Sequence, residues 1–147
     1  MNSIDEILDY AIAREQEAVD FYTGLAGRGK DWMRDLLMGF AREEARHKAK
    51  LMAVKDGQKL LSSESRIADL KIADYVVDVE PTDDINLQDA LILAMKREKA
   101  AFRLYTDLAA RVDDAELRDL FLGLAQEEAK HKLYFETKYD DEMLRNN

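Results

Sequence analysis

The chain has 147 residues, 47% of them hydrophobic and 36% charged, with a formal net charge of -9. This length fits one soluble domain with a buried core, and the negative charge, with no basic stripe, excludes a nucleic-acid-binding surface. The sequence contains no cysteine, which excludes disulfides, thiolate metal sites and thiol catalysis. It has no apolar run of ~18 residues and no signal-peptide pattern, so we expect a cytoplasmic protein that makes no membrane contact.

The first part of the chain predicts a helical hairpin at about 4–57. Ser3 and Glu6 have the spacing of a capping box at the start of the first helix, about 4–26. Its apolar or small positions are Ile4, Leu8, Ala11, Ala18, Tyr22 and Leu25. A glycine-rich turn leads to a second helix that should end near Gly57. Its apolar positions are Met33, Leu37, Phe40 and Leu51.

A second hairpin is predicted at about 86–140. Asn86 is a suitable cap for the third helix, whose apolar or small positions are Leu87, Leu91, Ala94, Ala101, Tyr105 and Leu108. Asp113, with Glu116 three residues later, is the predicted cap of the fourth helix. The apolar positions of that helix are Leu117, Phe121, Leu124 and Phe135.

The connection at about 58–85 is long for a compact domain unless it crosses from one end of a helix bundle to the other. It contains the mildly strand-like YVVDVE at 75–80 and the single proline, Pro81. The sequence leaves open whether it holds a short helix or an extended segment. We therefore predict one all-α domain over 1–147, a ferritin-like four-helix bundle made of two hairpins and a long crossover.

The two hairpins are copies of one another. The pattern Ala-x-x-Arg-Glu-x-x-Ala-x-x-x-Tyr-Thr-x-Leu-Ala begins at Ala11 and again at Ala94, and one extra residue in the second turn then shifts the later matches. Glu-Glu-x-x-His follows in each copy, as EEARH at 43–47 and EEAKH at 127–131, and these motifs contain both histidines of the chain. The sequence is thus a duplicated helical hairpin.

Six polar residues fall on the predicted apolar faces. Glu44 and His47 are three residues apart and therefore share one face of their helix, and Glu128 and His131 repeat that arrangement. One glutamate interrupts the apolar face of each remaining helix. We expect these side chains to converge in the core: Glu15, Glu44, His47, Glu98, Glu128 and His131.

Four buried carboxylates need a positive counter-charge, because burying unpaired charge costs several kcal/mol for each group. Two divalent cations would balance them, and oxygen-rich ligation with one imidazole for each metal suits iron or manganese better than a structural zinc site. We assign Glu44 and Glu128 as bridging ligands and Glu15 and Glu98 as terminal ligands, with one histidine on each metal. Which histidine pairs with which terminal glutamate is left open.

Two tyrosines complete the prediction. Tyr22 and Tyr105 lie two helical turns beyond Glu15 and Glu98, so their hydroxyls can support the carboxylates by hydrogen bonds, or can simply pack in the core. For the paired motifs, the alternative is a charged surface that happens to have this spacing, which two copies in register argue against. Glu43 and Glu127 rotate off the apolar face, and we expect them to be solvated.

Through these residues the chain resembles the rubrerythrin-like branch of the ferritin-like di-iron carboxylate superfamily. The resemblance implies two iron ions, with manganese or zinc as substitutes, that react with hydrogen peroxide or dioxygen, and a homodimer. It also implies a stand-alone member, because rubrerythrins proper carry a cysteine-ligated rubredoxin domain. The electron donor would then be a separate protein.

The predicted function is accordingly a di-iron oxidoreductase that reduces hydrogen peroxide or dioxygen. The alternative is an iron-binding protein with ferroxidase activity, for iron storage or handling without a dedicated reductant. One difference from rubrerythrins favours the iron-binding alternative. Rubrerythrins carry an extra glutamate near the third-helix ligand, whereas this chain has Ala101 three residues after Glu98.

Overall fold

A computed structural model describes residues 4–29, 31–79, 81–82 and 84–145. In these residues the chain is almost entirely helical, as predicted. Five α-helices follow in order: α1 (Ile4–Ala26), α2 (Asp31–Asp56), α3 (Glu64–Ile67), α4 (Leu87–Arg111) and α5 (Ala115–Arg145). The predicted cap residue Ser3 lies outside the described residues.

The chain divides into two compact units, Met1–Ile72 and Ala73–Asn147. In the first unit α1 packs against α2 to form the first hairpin. All six predicted apolar positions of α1 are buried. Near the turn, Tyr22 meets Phe40 edge to face with ring centroids 6.1 Å apart, and at the far end Lys55 pairs with Asp9 at 2.6 Å.

The second unit contains the second hairpin, in which α4 packs against α5. Its core includes all four apolar positions predicted for α5. Near the turn, Tyr105 stacks on Phe121 with ring centroids 6.5 Å apart, so an aromatic pair occupies the same end of each hairpin. The last helix continues to Arg145, beyond the predicted end of the hairpin near 140.

Two predicted N-terminal caps can be compared with the structure, and one of them is correct. Asn86 caps α4 as predicted, because its side chain accepts a hydrogen bond from the backbone N–H of Asp89. The prediction that Asp113 caps α5 is wrong. Asp114 caps α5 instead: its Oδ1 accepts hydrogen bonds from the N–H groups of Glu116 and Leu117, the second and third residues of the helix.

The connection between α2 and α4 contains short helical turns. A 3-10 turn at Leu61–Ser63 leads into α3, and a second 3-10 turn covers Ile72–Tyr75. Of the strand-like segment at 75–80, the described residues 75–79 contain no strand. Tyr75 is instead buried, with its hydroxyl 2.5 Å from Oδ2 of Asp107 in α4, so it attaches the end of the connection to the second hairpin.

None of the helices in the described part of the chain is both long and apolar enough to cross a membrane.

Candidate metal centre

The first hairpin buries two carboxylates and an imidazole at one point. Glu15 of α1 and Glu44 and His47 of α2 are each at most 2% exposed. The Nδ1 atom of His47 lies 3.3 Å from Oε1 of Glu44 and 3.5 Å from Oε2 of Glu15. One ligand atom from each of the three residues lies within 4.8 Å of the others. We call these three residues the first triad.

The second hairpin repeats this arrangement. Glu98 of α4 and Glu128 and His131 of α5 are again at most 2% exposed. The Nδ1 atom of His131 lies 3.5 Å from Oε2 of Glu98 and 3.8 Å from Oε1 of Glu128, and the ligand atoms again lie within 4.8 Å of one another. These residues form the second triad. All six residues predicted as ligands are therefore buried, and within each hairpin they come together.

Helix geometry explains why each triad forms. Residues three apart on a helix are neighbours on one face, so each Glu-x-x-His motif presents its carboxylate and imidazole side by side. The third ligand comes from the antiparallel partner helix at the same level. Small side chains surround it: Ala11 and Ala94, one turn before Glu15 and Glu98, are completely buried.

The distances within each triad fit metal ligation better than direct hydrogen bonding. All four separations between Nδ1 and a carboxylate oxygen, 3.3, 3.5, 3.5 and 3.8 Å, are longer than the ~2.7–3.2 Å that N–H···O bonds usually span. Two ligand atoms about 2.1 Å from one cation, at bond angles near 90–110°, lie about 3.0–3.5 Å apart. The donor set of each triad, two carboxylates and one imidazole, is that of a divalent transition metal. Each triad is thus a buried group that can bind a metal ion.

The two predicted supporting tyrosines are buried where the sequence places them. Tyr22 and Tyr105 are each 1% exposed, on the same faces as Glu15 and Glu98. Their rings pack in the aromatic pairs near the turns. The hydrogen bonds from their hydroxyls to the ligand carboxylates remain a prediction.

The charged residues near the ligands differ in exposure. Arg14 and Glu17 pair with each other at 2.7 Å on the exposed face of α1. Glu43 and Glu127, beside the ligands, are half-buried rather than fully solvated. A contact that was not predicted lies next to the first triad, where Lys48 donates a hydrogen bond to Gln16. The sequence signal for it is the difference between the two copies of the repeat at these positions.

The chain matches the family model named Rubrerythrin over residues 6–139. Among curated proteins, no sequence gives a significant match. Two solved structures are similar in fold. One is a Thermotoga maritima protein described as a ferritin-like diiron-carboxylate protein, with TM-score 0.81 and 19% sequence identity over 96% of this chain and 97% of that chain.

The other is a hypothetical protein from Pyrococcus furiosus, with TM-score 0.71 and 24% identity over 94% of this chain and 89% of that chain. At these identities the similarity shows the fold alone. That fold is the predicted one, a ferritin-like four-helix bundle built from two hairpins joined by a long connection. Since the family model spans most of its length, the chain belongs to the rubrerythrin family.

Proposed function

We propose that the two triads together hold two iron ions in one carboxylate-bridged centre, and that the protein is an oxidoreductase that reduces hydrogen peroxide or dioxygen. The observation that carries the proposal is the equivalence of the triads: each hairpin buries two carboxylates and one imidazole in the same arrangement. In ferritin-like di-iron proteins a glutamate from each of two helices and a Glu-x-x-His motif from each of the other two supply the ligands. This chain has that complement of residues.

The six ligands have distinct roles in the proposal. Glu44 and Glu128 would bridge the ions, Glu15 and Glu98 would bind terminally, and His47 and His131 would bind one ion each. The formal charge of four carboxylates balances two divalent cations, which removes the cost of burying the carboxylates unpaired. Manganese or zinc would be accepted by the same donor atoms, with iron preferred for redox chemistry.

Two bound ferrous ions would supply two electrons, which together with two protons are enough to reduce hydrogen peroxide to two water molecules. The protein contributes fixed ligands and a buried environment. Because every ligand is at most 2% exposed, the protein shields the centre from bulk water.

Tyr22 and Tyr105 are the proposed hydrogen-bond donors to the ligand carboxylates, which would hold the ligands in one orientation. Repeated turnover requires that the oxidised centre be reduced again. The proposal therefore includes a separate electron-donor protein, and a homodimer as the working unit.

The test is anaerobic loading with ferrous iron followed by rapid mixing with hydrogen peroxide. The wild-type protein should oxidise its iron quickly. Glu44→Ala removes a proposed bridging ligand and should abolish the fast phase. Glu43→Ala, next to it on the same helix but half-buried, is the matched control and should keep that phase. A wild-type rate in Glu44→Ala would contradict the proposal.

A second function is favoured by one observation. One turn after Glu15 and Glu98 stand Ala18 and Ala101, so this chain has no additional carboxylate at the position where rubrerythrins have an extra glutamate near the third-helix ligand. An iron-handling protein with ferroxidase activity would need no such group. Stoichiometry separates the two functions: storage predicts many irons for each chain in a large shell, whereas an oxidoreductase predicts about two.

A further inference from the structure

A hydrogen-bonded chain of three side chains lies beside the first triad. Lys48 Nζ donates to Gln16 Oε1 at 2.7 Å, and Gln16 Nε2 donates to Asp20 Oδ1 at 3.0 Å. The first bond joins α2 to α1, and it is partly buried. Lys48 directly follows the ligand His47, and Gln16 directly follows the ligand Glu15. The two helices are thus tied together at the level of the ligands.

The amide of Gln16 has one orientation in this chain. Its NH₂ group donates to Asp20, so its oxygen remains for the ammonium of Lys48. A bond from an ammonium group is among the stronger hydrogen bonds. Asp20 therefore fixes Gln16, and Gln16 fixes Lys48.

The second hairpin cannot form this chain. When the two copies of the repeat are aligned, the second hairpin has Lys132 in place of Lys48, Lys99 in place of Gln16 and Arg103 in place of Asp20. All three are cationic and can only donate hydrogen bonds, so none can accept from another. Lys132 turns instead along its own helix and donates to Glu136 at 3.0 Å. In the first hairpin the counterpart of Glu136 is Met52.

We propose that Gln16 and Lys48 are positioning residues of the first triad, and that the first hairpin consequently binds its metal ion more tightly than the second. This inference rests on the proposed function, because it concerns the affinities of the same two ions. Neither residue is a ligand; each acts through the ligand that precedes it in the chain.

Two effects act in the same direction. The hydrogen bond between the helices orders Glu15 relative to His47 before metal binds. Less conformational entropy is therefore lost when the metal binds. The corresponding residues of the second hairpin cannot form this hydrogen bond. That hairpin also has positive side chains at Lys99 and Arg103, one and five residues after Glu98, where the first hairpin has a neutral and a negative side chain. Positive charge weakens the binding of a cation, by an amount that salt reduces.

The experiment is an anaerobic calorimetric titration of the metal-free protein with Fe²⁺. We expect two binding steps for the wild type, the first about tenfold tighter. Gln16→Met removes the acceptor without adding charge, so it should weaken the tight step about three- to tenfold and leave the weak step unchanged. Lys99→Gln supplies the missing acceptor and should tighten the weak step.

Two further variants separate positioning from general stability. Gln16→Glu keeps an acceptor for Lys48 but loses the donor to Asp20; because its negative charge also attracts a cation, it should retain or strengthen the tight step. Gln88→Lys adds a charge in the first turn of α4, ten residues or about 15 Å along the helix from Glu98, and should change neither step. Thermal unfolding of each metal-free variant verifies that it is folded, and a merely structural role for Gln16 would lower that stability without changing the affinity ratio.

Each outcome has one meaning. Two steps that respond separately to Gln16→Met and Lys99→Gln support the inference. Two equal steps in the wild type, or steps that neither variant moves, overturn it while leaving the proposed di-iron function intact. If the wild type binds no Fe²⁺ at all, the proposed function itself fails. Lys99→Gln is expected to raise affinity. If Gln16→Met does not fold, an unchanged weak step in Lys99→Gln still overturns the inference.

Discussion

His47 Nδ1 lies 3.3 Å from Oε1 of Glu44, one helical turn away on α2. The α-helix itself fixes this spacing, because both residues are on the same face. Glu15 comes from the other helix of the hairpin, so its position depends on how α1 packs against α2. The triad is therefore a product of local geometry and packing together, and the two contributions can be tested separately.

Neutralising one carboxylate should have opposite effects on stability and on metal binding. Glu15→Gln keeps the shape of the side chain but removes a buried charge next to Glu44, so the metal-free protein should gain about 1–2 kcal/mol in its free energy of unfolding. Iron affinity should fall sharply. Urea unfolding of the metal-free protein measures the first effect and iron titration the second.

Glu17→Gln is the matched control for this substitution, because the side chain of Glu17 is 42% exposed and points away from the triad. It should change stability by less than about 0.5 kcal/mol. If Glu15→Gln lowers the free energy of unfolding of the metal-free protein, the Glu15 carboxylate stabilises the core, which would contradict its assignment as a ligand that destabilises the metal-free fold.

Iron should stabilise the fold through mass action. A ligand that binds only the folded state at a hundred times its dissociation constant adds about 2.7 kcal/mol for each site. Thermal unfolding with and without Fe²⁺ under anaerobic conditions should show a clear rise in the melting temperature. His47→Ala and His131→Ala should each reduce that rise, and an unchanged rise in both would place the iron elsewhere.

The corrected cap of α5 gives a test with an internal control. Asp114 accepts two backbone hydrogen bonds at the start of the helix, so Asp114→Ala should cost about 1 kcal/mol of stability. Asp113→Ala should cost much less, although the sequence spacing favoured Asp113. Equal losses measured by urea unfolding would show that the two residues share the capping role.

Tyr75 predicts a change of stability at alkaline pH. Burial of the phenol, and then its hydrogen bond to Asp107, raise the pKa of Tyr75 above its ordinary value of 10.0. The unfolded chain therefore loses this proton at a lower pH than the folded protein does. The stabilising contribution is complete below about pH 10 and is lost as pH rises through the folded-state pKa.

Tyr75→Phe should remove this dependence. It should cost about 1–2 kcal/mol at neutral pH through the lost hydrogen bond to Asp107, and its stability should fall less steeply than that of the wild type above about pH 10. Urea unfolding at a series of pH values from neutral to alkaline measures both effects. Parallel losses in the two proteins at high pH would assign the alkaline instability to other groups.

Much of the fold was predictable because its signals are local and repeated. The apolar spacing of α1 and α5 and the cap at Asn86 are confirmed, and the duplication gave each hairpin an independent check on the other. Glu44 and His47 were recognisable because polar residues interrupted an apolar stripe at a spacing that helix geometry turns into one face.

Other features were not predictable because the sequence offers two equivalent candidates or no clear pattern. Asp113 and Asp114 are adjacent and have the same side chain, so which of them caps depends on where α5 begins, and it begins at Ala115. The connection before α4 has buried residues at Leu60, Ile67 and Leu70, a spacing with no single period, so its short turns had no clear signal.

The tie between Gln16 and Lys48 was missed for a related reason. Both residues are ordinary helix-surface types, and nothing in either position alone indicates a contact across the hairpin. Comparison of the two copies is the signal that finds it: where one copy has a donor and an acceptor next to the ligands, the other has two donors, Lys132 and Lys99.

The most direct test of the di-iron centre is the iron content of the protein after anaerobic loading with Fe²⁺ and removal of unbound metal, measured by elemental analysis. The account predicts about two irons for each chain in the wild type and a clear loss in His47→Ala and in His131→Ala. Less than about half an iron for each chain in the wild type, or an iron content that neither histidine substitution changes, would contradict it.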